Sequence, residues 1–186
     1  MIVPYDPPPN LSDLSLAQIA ELVDQRKLPP VESWAPAKTG HSEMRIAADG
    51  RWYHQGGEIT RPAMVRAFSS LLRIETDASY WLVTPQEKLQ IVVEDVPFIA
   101  VEAQFRETSI AFRLNTDDLV IAGSQHPIEM RTYEGTHVPY LHVRAGLWAR
   151  CSRPVYYELA ERALESDTEN PGIRSDGIFF PLDVAA

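Results

Sequence analysis

Apolar residues recur along the chain with either helical or strand-like spacing, and the first clear pattern is helical. Apolar residues recur at positions 16, 19, 20 and 23, which predicts an amphipathic helix. Ser15 precedes this run and Gln18 lies three residues later, as in a capping box. Pro29 and Pro30 are expected to end the helix. Residues 31–41 predict a linker or arm, and the proline-rich first ten residues predict an extended segment.

A strand-like pattern begins at residue 44. Residues 44–47 and 51–54 flank Asp49 and Gly50, a pair that suits a tight turn with positive φ, and they therefore predict a β-hairpin. A helix is expected to start around Pro62, because proline is favoured in the first helical turn. Further strands are predicted at residues 80–83, 89–93 and 98–103.

The rest of the chain is again rich in strand patterns. Strands are predicted at residues 109–114, 119–122, 128–133 and 140–149. A third helix is expected to start at Ser152, Arg153 and Pro154. The acidic run at residues 165–172 predicts a loop, and residues 177–180 predict a last strand.

Two segments match without gaps, which indicates a duplication. Pro85, Glu87 and residues 96–103 match Pro127, Glu129 and residues 138–145 at an offset of 42 residues (127 − 85 and 139 − 97). The helix starts at residues 60–63 and 152–155 also match, but at an offset of 92 residues (153 − 61), so either the helix has moved or this second match is coincidental. The predicted fold is α+β, with two related strand-rich halves that each carry one helix, plus an N-terminal helix. The predicted division is 1–41, 42–106 and 107–186.

Composition and charge narrow the class of protein. The chain has 186 residues and 45% hydrophobic residues, enough for one domain with a core or for two small ones. Its net charge of −9 argues against long nucleic acids as partners, since these need a basic face. The single cysteine, Cys151, fits a reducing compartment. No signal peptide and no apolar run near the length of a membrane span is found, so a cytoplasmic protein without a membrane span is predicted.

The motifs of familiar enzyme classes are missing from the sequence. The five histidines lack metal-site spacing, and neither a Gly-x-Ser-x-Gly elbow nor a glycine-rich phosphate loop is found. Cys151 precedes a predicted helix and is flanked by two arginines, which could activate its thiol, although a buried inert cysteine is the favoured interpretation. No catalytic residue, metal ligand or cofactor is therefore assigned.

Arginines near the third helix are the feature that most favours a ligand. Arg144, Trp148 and Arg150 share strand parity within the predicted strand, so an extended chain would place them on one face, with Arg153 close by. Arginine binds phosphate through two parallel hydrogen bonds, and Trp148 could stack a base. The alternative is that these arginines pair with the surplus acids, because arginine outnumbers lysine 14 to 3.

Several motifs together resemble a known family. They are Asp-Gly-x-Trp-Tyr-His-x-Gly at residues 49–56, Arg61, Leu-Val-Thr-Pro-x-Glu-Lys at residues 82–88 and Val-Glu-Asp-x-Pro-Phe at residues 93–98. At these motifs the chain resembles an uncharacterised, mainly proteobacterial family that is catalogued as a domain of unknown function. The resemblance implies duplicated halves, a pleckstrin-homology-like second half, and a site for a nucleotide-like ligand between the halves, with a role in signalling.

The predicted function is a binding or sensory module that takes a small anionic, nucleotide-like ligand between its halves. Two alternatives stay open. One is an enzyme acting on such a ligand through a carboxylate, Glu94 or Asp95, and a histidine, His54 or His142. The other is a protein-interaction module with a protein partner that binds strand edges or the proline-rich N-terminus. The predicted ligand-binding residues are Arg144, Arg150 and Arg153 for the anion, Trp52, Tyr140 and Trp148 for ring stacking, and Lys88, Glu94 and Asp95 from the first half.

Overall fold

The computed structural model describes residue 6 and residues 9–184, which form two compact units. The first unit comprises Lys27–Pro97 and Ala145–Leu147. The second comprises Phe98–Arg144 together with residues 9–26 and 148–184. The predicted extended segment at residues 1–5, 7 and 8 lies outside the described part of the chain.

Mixed α and β elements run through both units. Short 3₁₀ turns lie at Leu11–Asp13 and Val31–Ser33. In chain order the α-helices and strands of the described residues are α1 (Leu16–Gln25), β1 (Lys38–Ile46), β2 (Trp52–His54), β3 (Gly57–Glu58), α2 (Pro62–Ser69), β4 (Leu72–Ile74), β5 (Tyr80–Val83), β6 (Glu87–Val93), β7 (Phe98–Phe105), β8 (Ile110–Leu114), β9 (Leu119–Ile121), β10 (Ile128–Tyr133), β11 (Thr136–Arg144), β12 (Leu147–Cys151), α3 (Arg153–Ser166), β13 (Gly172–Ser175) and β14 (Ile178–Pro181).

Each unit is built on a six-stranded sheet, and the two sheets have the same topology. The first has the order β3-β2-β1-β6-β5-β4, and the second has the order β9-β8-β7-β12-β11-β10. In both, the first strand pairs in parallel with the last one: β1 with β6, and β7 with β12. The second order equals the first with six added to every strand number. The prediction of an α+β fold with duplicated halves and an N-terminal helix is therefore confirmed.

The sequence match that suggested the duplication does not follow this repeat. Its offset of 42 residues equates β6 and β7 with β10 and β11, whereas the topology equates β6 with β12 and β7 with β1. The helix also changes place, since α2 lies between β3 and β4 while α3 follows β12. Proline before an alternating run is common at strand starts, and this generic pattern produced the match.

The first unit confirms the predicted hairpin. Ile46 pairs with Trp52 across the turn, where Gly50 has a φ of 86°. Trp52 is buried and stacks on Phe68 of α2, with 6.5 Å between the ring centroids. The predicted linker at residues 31–41 is wrong in its last part, because β1 already begins at Lys38. The start of β1 is polar and is held as a strand by parallel pairing with β6.

In the second unit, residues 11–26 pack on the six-stranded sheet. The predicted capping box of α1 is present: Ser15 N donates to Gln18 Oε1 at 2.8 Å, and Gln18 N donates to Ser15 Oγ at 3.3 Å. Leu11 and Ile19 are fully buried against Ala111 of β8. The end of the helix is also anchored, since Arg26 Nε lies 2.7 Å from Asp118 Oδ1.

The predicted strand at residues 140–149 is wrong, because the chain turns in its middle. Ala145 and Gly146 have φ values of 43° and 78°, and they connect β11 to its neighbour β12. A positive φ is uncommon for alanine, so the sequence carries little sign of this turn. The predicted loop at residues 165–172 was also too long, since α3 continues to Ser166 and β13 begins at Gly172.

We expect the substitution Leu11→Ala to lower the free energy of unfolding by about 3 kcal/mol, because it leaves a cavity beneath the N-terminal segment. Leu28→Ala is the matched control, since Leu28 is 38% exposed and its loss should cost less than about 1 kcal/mol. Urea unfolding followed by circular dichroism measures both. Equal free energies of unfolding for the two variants would show that residues 11–26 contribute little to the stability of the second unit.

Candidate functional site

Arginines and aromatic rings cover one face of the sheet in the second unit. The Arg131 guanidinium carbon lies 3.7 Å from the ring centroid of Trp148, and that of Arg150 lies 3.8 Å from the ring of Tyr133. Arg131 and Tyr133 are two residues apart on β10, and Trp148 and Arg150 are two apart on β12. Both pairs therefore share the same face. Tyr140 of β11, between these strands, is buried with its ring 5.3 Å from the Arg131 guanidinium.

At one end of this face lies a cavity that we call the α3 N-terminal pocket. Its volume is about 580 Å³, and it contains two of the predicted anion-binding residues, Arg150 and Arg153. The residues that line it come from the β10–β11 hairpin, the end of β12 and the first turns of α3: Tyr133, Glu134, Thr136, Val138, Arg150, Cys151, Ser152, Arg153, Tyr156 and Tyr157.

The start of α3 makes this pocket electropositive. Ser152 caps the helix, its Oγ accepting a hydrogen bond from Val155 N at 3.5 Å. The helix dipole adds positive potential at this end. Arg153 is exposed and forms no ion pair with any described residue. The lining has two arginines and one carboxylate, Glu134, which favours an anion.

Tyrosines supply the aromatic part of the pocket. The rings of Tyr156 and Tyr157 stack with 6.1 Å between their centroids, and the Tyr133 ring packs under Arg150. Burial, with the negative charge of Asp183 as a second cause, raises the pKa of the Tyr156 hydroxyl. That hydroxyl therefore stays protonated at neutral pH, and it already donates a hydrogen bond to Asp183 O at 3.4 Å.

Arg144 is separated from the arginines with which the sequence grouped it. The turn at residues 145 and 146 ends its strand, and its guanidinium lies over the ring of Phe98 at 5.2 Å. It does not line the α3 N-terminal pocket. Trp148 and Arg150 do share a face, as the sequence predicted.

The other predicted site residues belong to the first unit. Trp52 is part of its core. Lys88 Nζ lies 4.5 Å from the ring centroid of Trp81 and 3.4 Å from Glu75 Oε1. Asp95 is half-buried in the connection that follows β6.

Glu94 is held by structural contacts. Its Oε2 accepts a hydrogen bond from Ala48 N at 2.9 Å, and its Oε1 pairs with Arg45. These two contacts lower the pKa of Glu94, so it is a carboxylate at neutral pH. Within the described residues Glu94 makes no hydrogen bond to His54. His142, the other histidine of the enzyme alternative, has its Nδ1 3.0 Å from Gln125 O.

Cys151 is a buried thiol at the end of β12. Burial raises its pKa to about 12, although a helix start and two arginines follow or flank it in the sequence. Desolvation therefore outweighs the neighbouring positive charge, and the prediction that Cys151 is buried is confirmed.

The described part of the chain contains neither a cluster of metal-binding side chains nor a helix that could span a membrane. No three side chains of histidine, cysteine, aspartate or glutamate come together there as a metal site would require. No helix there combines the length and the apolar character needed to cross a membrane.

Sequence reasoning missed the tyrosines of the pocket and the contact made by Arg131. The adjacent Glu134 and Gly135 were the available signal, because such a pair suits a two-residue hairpin turn that places Tyr133 beside the next strand. Arg131 reaches Trp148 across β11, and no sequence spacing reports such a contact.

Comparison with known proteins places the chain in a family. Residues 29–96 match the N-terminal domain of the domain of unknown function DUF1285, and residues 97–182 match its C-terminal domain. The chain belongs to the DUF1285 family. The division between the two DUF1285 domains, after residue 96, lies within one residue of the division between the two compact units, after Pro97.

Two solved DUF1285 structures are similar to the chain. A DUF1285 family protein from Silicibacter pomeroyi DSS-3 is 39% identical, with a TM-score of 0.77 over 88% of this chain and 93% of that one. A DUF1285 family protein from Shewanella baltica OS155 is 25% identical, with a TM-score of 0.52 over 63% of this chain and 90% of that one. No curated protein is significantly similar to the chain.

We expect Cys151 of this DUF1285 protein to resist alkylation in the folded state. With a pKa of about 12, only about one thiol in 10⁴ is ionised at pH 8, and the thiol is also buried. Iodoacetamide followed by mass spectrometry should show an unmodified native protein and one modified cysteine after unfolding in urea. Rapid labelling of the native protein would contradict the buried assignment.

Proposed function

We propose that this protein is a binding module for a small anionic, nucleotide-like ligand, and that the α3 N-terminal pocket binds the anionic group. The observation that carries the proposal is the presence of Arg150 and Arg153 in one cavity beside the start of a helix. A sensory or signalling role would follow from such binding.

The chemistry of the lining supports an anion over a neutral ligand. Arginine offers a planar fork of donors that matches phosphate or carboxylate oxygens. The Arg150 guanidinium already lies flat against Tyr133, which limits the orientations that it must give up on binding. The volume of about 580 Å³ is in the range of small-molecule sites.

The tyrosine rings support a ligand that has a flat part. Tyr157 is 61% exposed, so its ring is accessible to a ligand. A base that stacks there would extend the aromatic contact between Tyr156 and Tyr157.

Further residues stay part of the proposal as predicted from sequence. Arg144, Tyr140 and Trp148 from the second unit, and Trp52, Lys88, Glu94 and Asp95 from the first, are proposed to contribute to ligand binding. For Trp148 the structure adds one condition: Arg131 covers one face of its ring, so a base would stack on the other face or displace Arg131.

Binding is better supported than catalysis. The lining of the pocket contains no histidine, and its cysteine is a protonated thiol. Proton transfer at neutral pH needs a group with a pKa near 7 within reach of the ligand, and burial moves the pKa of the Tyr156 hydroxyl upward, away from that range.

The test is a thermal-shift screen of the full chain against adenosine and guanosine mono- and diphosphates, cyclic nucleotides and inorganic phosphate. A ligand at about 100 times its dissociation constant stabilises the folded state by about 2.7 kcal/mol. We expect such a stabilisation with at least one nucleotide, and we expect Arg153→Ala to abolish it. Arg153→Lys should restore it only in part, because lysine keeps the charge and lacks the planar fork.

Arg51→Ala is the matched control, since it also removes one exposed arginine, whose contacts are a side-chain hydrogen bond with Tyr53 and long ion pairs at 3.6 Å to Asp49 and 4.0 Å to Glu58. It should leave the response unchanged. A folded protein that responds to no compound in the panel would overturn the proposal and favour a protein partner. An equal loss in Arg51→Ala and Arg153→Ala would indicate a general charge effect in place of a site.

A further inference from the structure

A second cavity of the same unit lies at the other end of α3. Its volume is about 530 Å³, and the last turn of the helix contributes Arg162, Ser166 and Asp167 to its lining. The helix has 14 residues and is therefore about 20 Å long, so this cavity and the α3 N-terminal pocket are separate. We call it the α3 C-terminal pocket.

Three arginines meet in this pocket from different parts of the fold. Arg106 follows β7, Arg162 lies on α3 and Arg174 lies on β13. None of the three forms an ion pair with a described residue. In a chain with a net charge of −9, three arginines that share a cavity and lack a carboxylate partner are unexpected.

Arg106 carries an unsatisfied donor. Its Nη2 donates to Leu11 O at 2.9 Å and to Leu14 O, which fixes the side chain. Its Nε is buried and has no hydrogen-bond partner. A buried donor without a partner costs free energy, which marks Arg106 as a strained point in the wall of the pocket.

Aromatic rings hold the other two arginines in place. The Arg162 guanidinium lies 4.8 Å from the ring centroid of Phe105, and the Arg174 guanidinium lies 5.1 Å from that of Phe179. A ring over one face of a guanidinium leaves the N–H groups in its plane able to bind an anion.

Gly172 keeps one of these rings in position. A Cβ atom at residue 172 would lie 2.3 Å from the Phe179 ring, so only glycine lets that ring lie across the backbone. Phe179 pairs with Arg174 across the β13–β14 hairpin, and the close approach at Gly172 therefore also places Arg174.

The net charge of the residues that line the pocket indicates which ligand charge would match it. Asp167 is the one carboxylate of the lining, and its Oδ1 already accepts hydrogen bonds from Glu169 N at 2.8 Å and Asn170 N at 3.2 Å. Three arginines and one aspartate give the lining a net charge of +2. Besides the two phenylalanines, Ile110 and Ile173 provide apolar walls.

We propose that the α3 C-terminal pocket is a second ligand site, which binds a phosphate monoester dianion with an apolar or aromatic body. Arg106, Arg162 and Arg174 bind the phosphate oxygens, and Phe105 and Phe179 contact the body of the ligand. This site is independent of the nucleotide-like ligand proposed for the other end of the helix.

Phenyl phosphate is the probe, since it combines a phosphate monoester with one flat ring. Isothermal titration of the full chain at about pH 8, where a phosphate monoester carries close to two negative charges, should give saturable binding below about 1 mM. Phenyl sulfate has a similar shape and a single negative charge. We expect it to bind at least about tenfold more weakly, because it leaves one positive charge of the pocket unmatched.

Arg162→Gln and Arg174→Gln are the test variants, because both side chains are exposed and glutamine keeps much of their length. Each should weaken phenyl phosphate binding by about tenfold or more. Arg51→Gln, an exposed arginine that lines neither pocket, is the matched control and should bind like the unmodified protein, and Arg153→Gln reports any binding at the α3 N-terminal pocket. Arg106 is not replaced, because it also holds the carbonyl groups of Leu11 and Leu14.

Three outcomes would overturn this second site. They are no saturable binding to the unmodified protein, binding that Arg162→Gln and Arg174→Gln leave unchanged, and binding that only Arg153→Gln removes. The last outcome would support the α3 N-terminal pocket instead, so the two proposals fail separately. Circular dichroism of each variant shows whether its fold is retained.

Discussion

The parallel pairing between the first and last strands of each sheet is the contact on which the rest of the structure depends. Without β1 beside β6, or β7 beside β12, each unit would be two separate triplets of strands with open edges. In the second unit the same pairing also places the candidate site. Arg150 lies opposite Ile99 and Cys151 opposite Ala100, and Ser152 N then donates to Ala100 O at 2.9 Å. The start of α3, and with it Arg153, is fixed by this register.

Features that depend on neighbouring residues were predicted correctly from the sequence, whereas contacts between distant segments were not. The capping box at Ser15 and the Asp49–Gly50 turn depend on neighbouring residues, and the structure contains both. The polar start of β1 is a strand only because β6 lies beside it. The turn at Ala145 was hidden because an alanine adopts a positive φ there. The duplication is real, yet it is visible in strand order and not in the residues that first suggested it.

The same limit applies to the candidate sites. Arg150 and Arg153 could be predicted because they are close in sequence and flank a helix start. Arg106, Arg162 and Arg174 could not, since they come from three separate elements and meet only in the folded unit. Aromatic rings are common to both sites: Tyr133 supports Arg150, and Phe105 and Phe179 support the other cluster. Aromatic rings thus contact guanidinium groups at both sites, beside the carboxylate partners that other arginines of the chain have.

The packing of residues 11–26 on the second unit has a consequence for biosynthesis. Leu11 is buried against Ala111, and the ribosome adds the latter 100 residues later (111 − 11). At about 5–20 residues per second, the segment waits about 5 to 20 s for its partner strand. A ten-residue helix is marginal alone in water, so α1 is exposed to chaperones and proteases during that time. All six strands of the first sheet lie before residue 94 and can pair within this interval. Residues 11–26 are thus translated before the first sheet but reach their native contacts after that sheet can form.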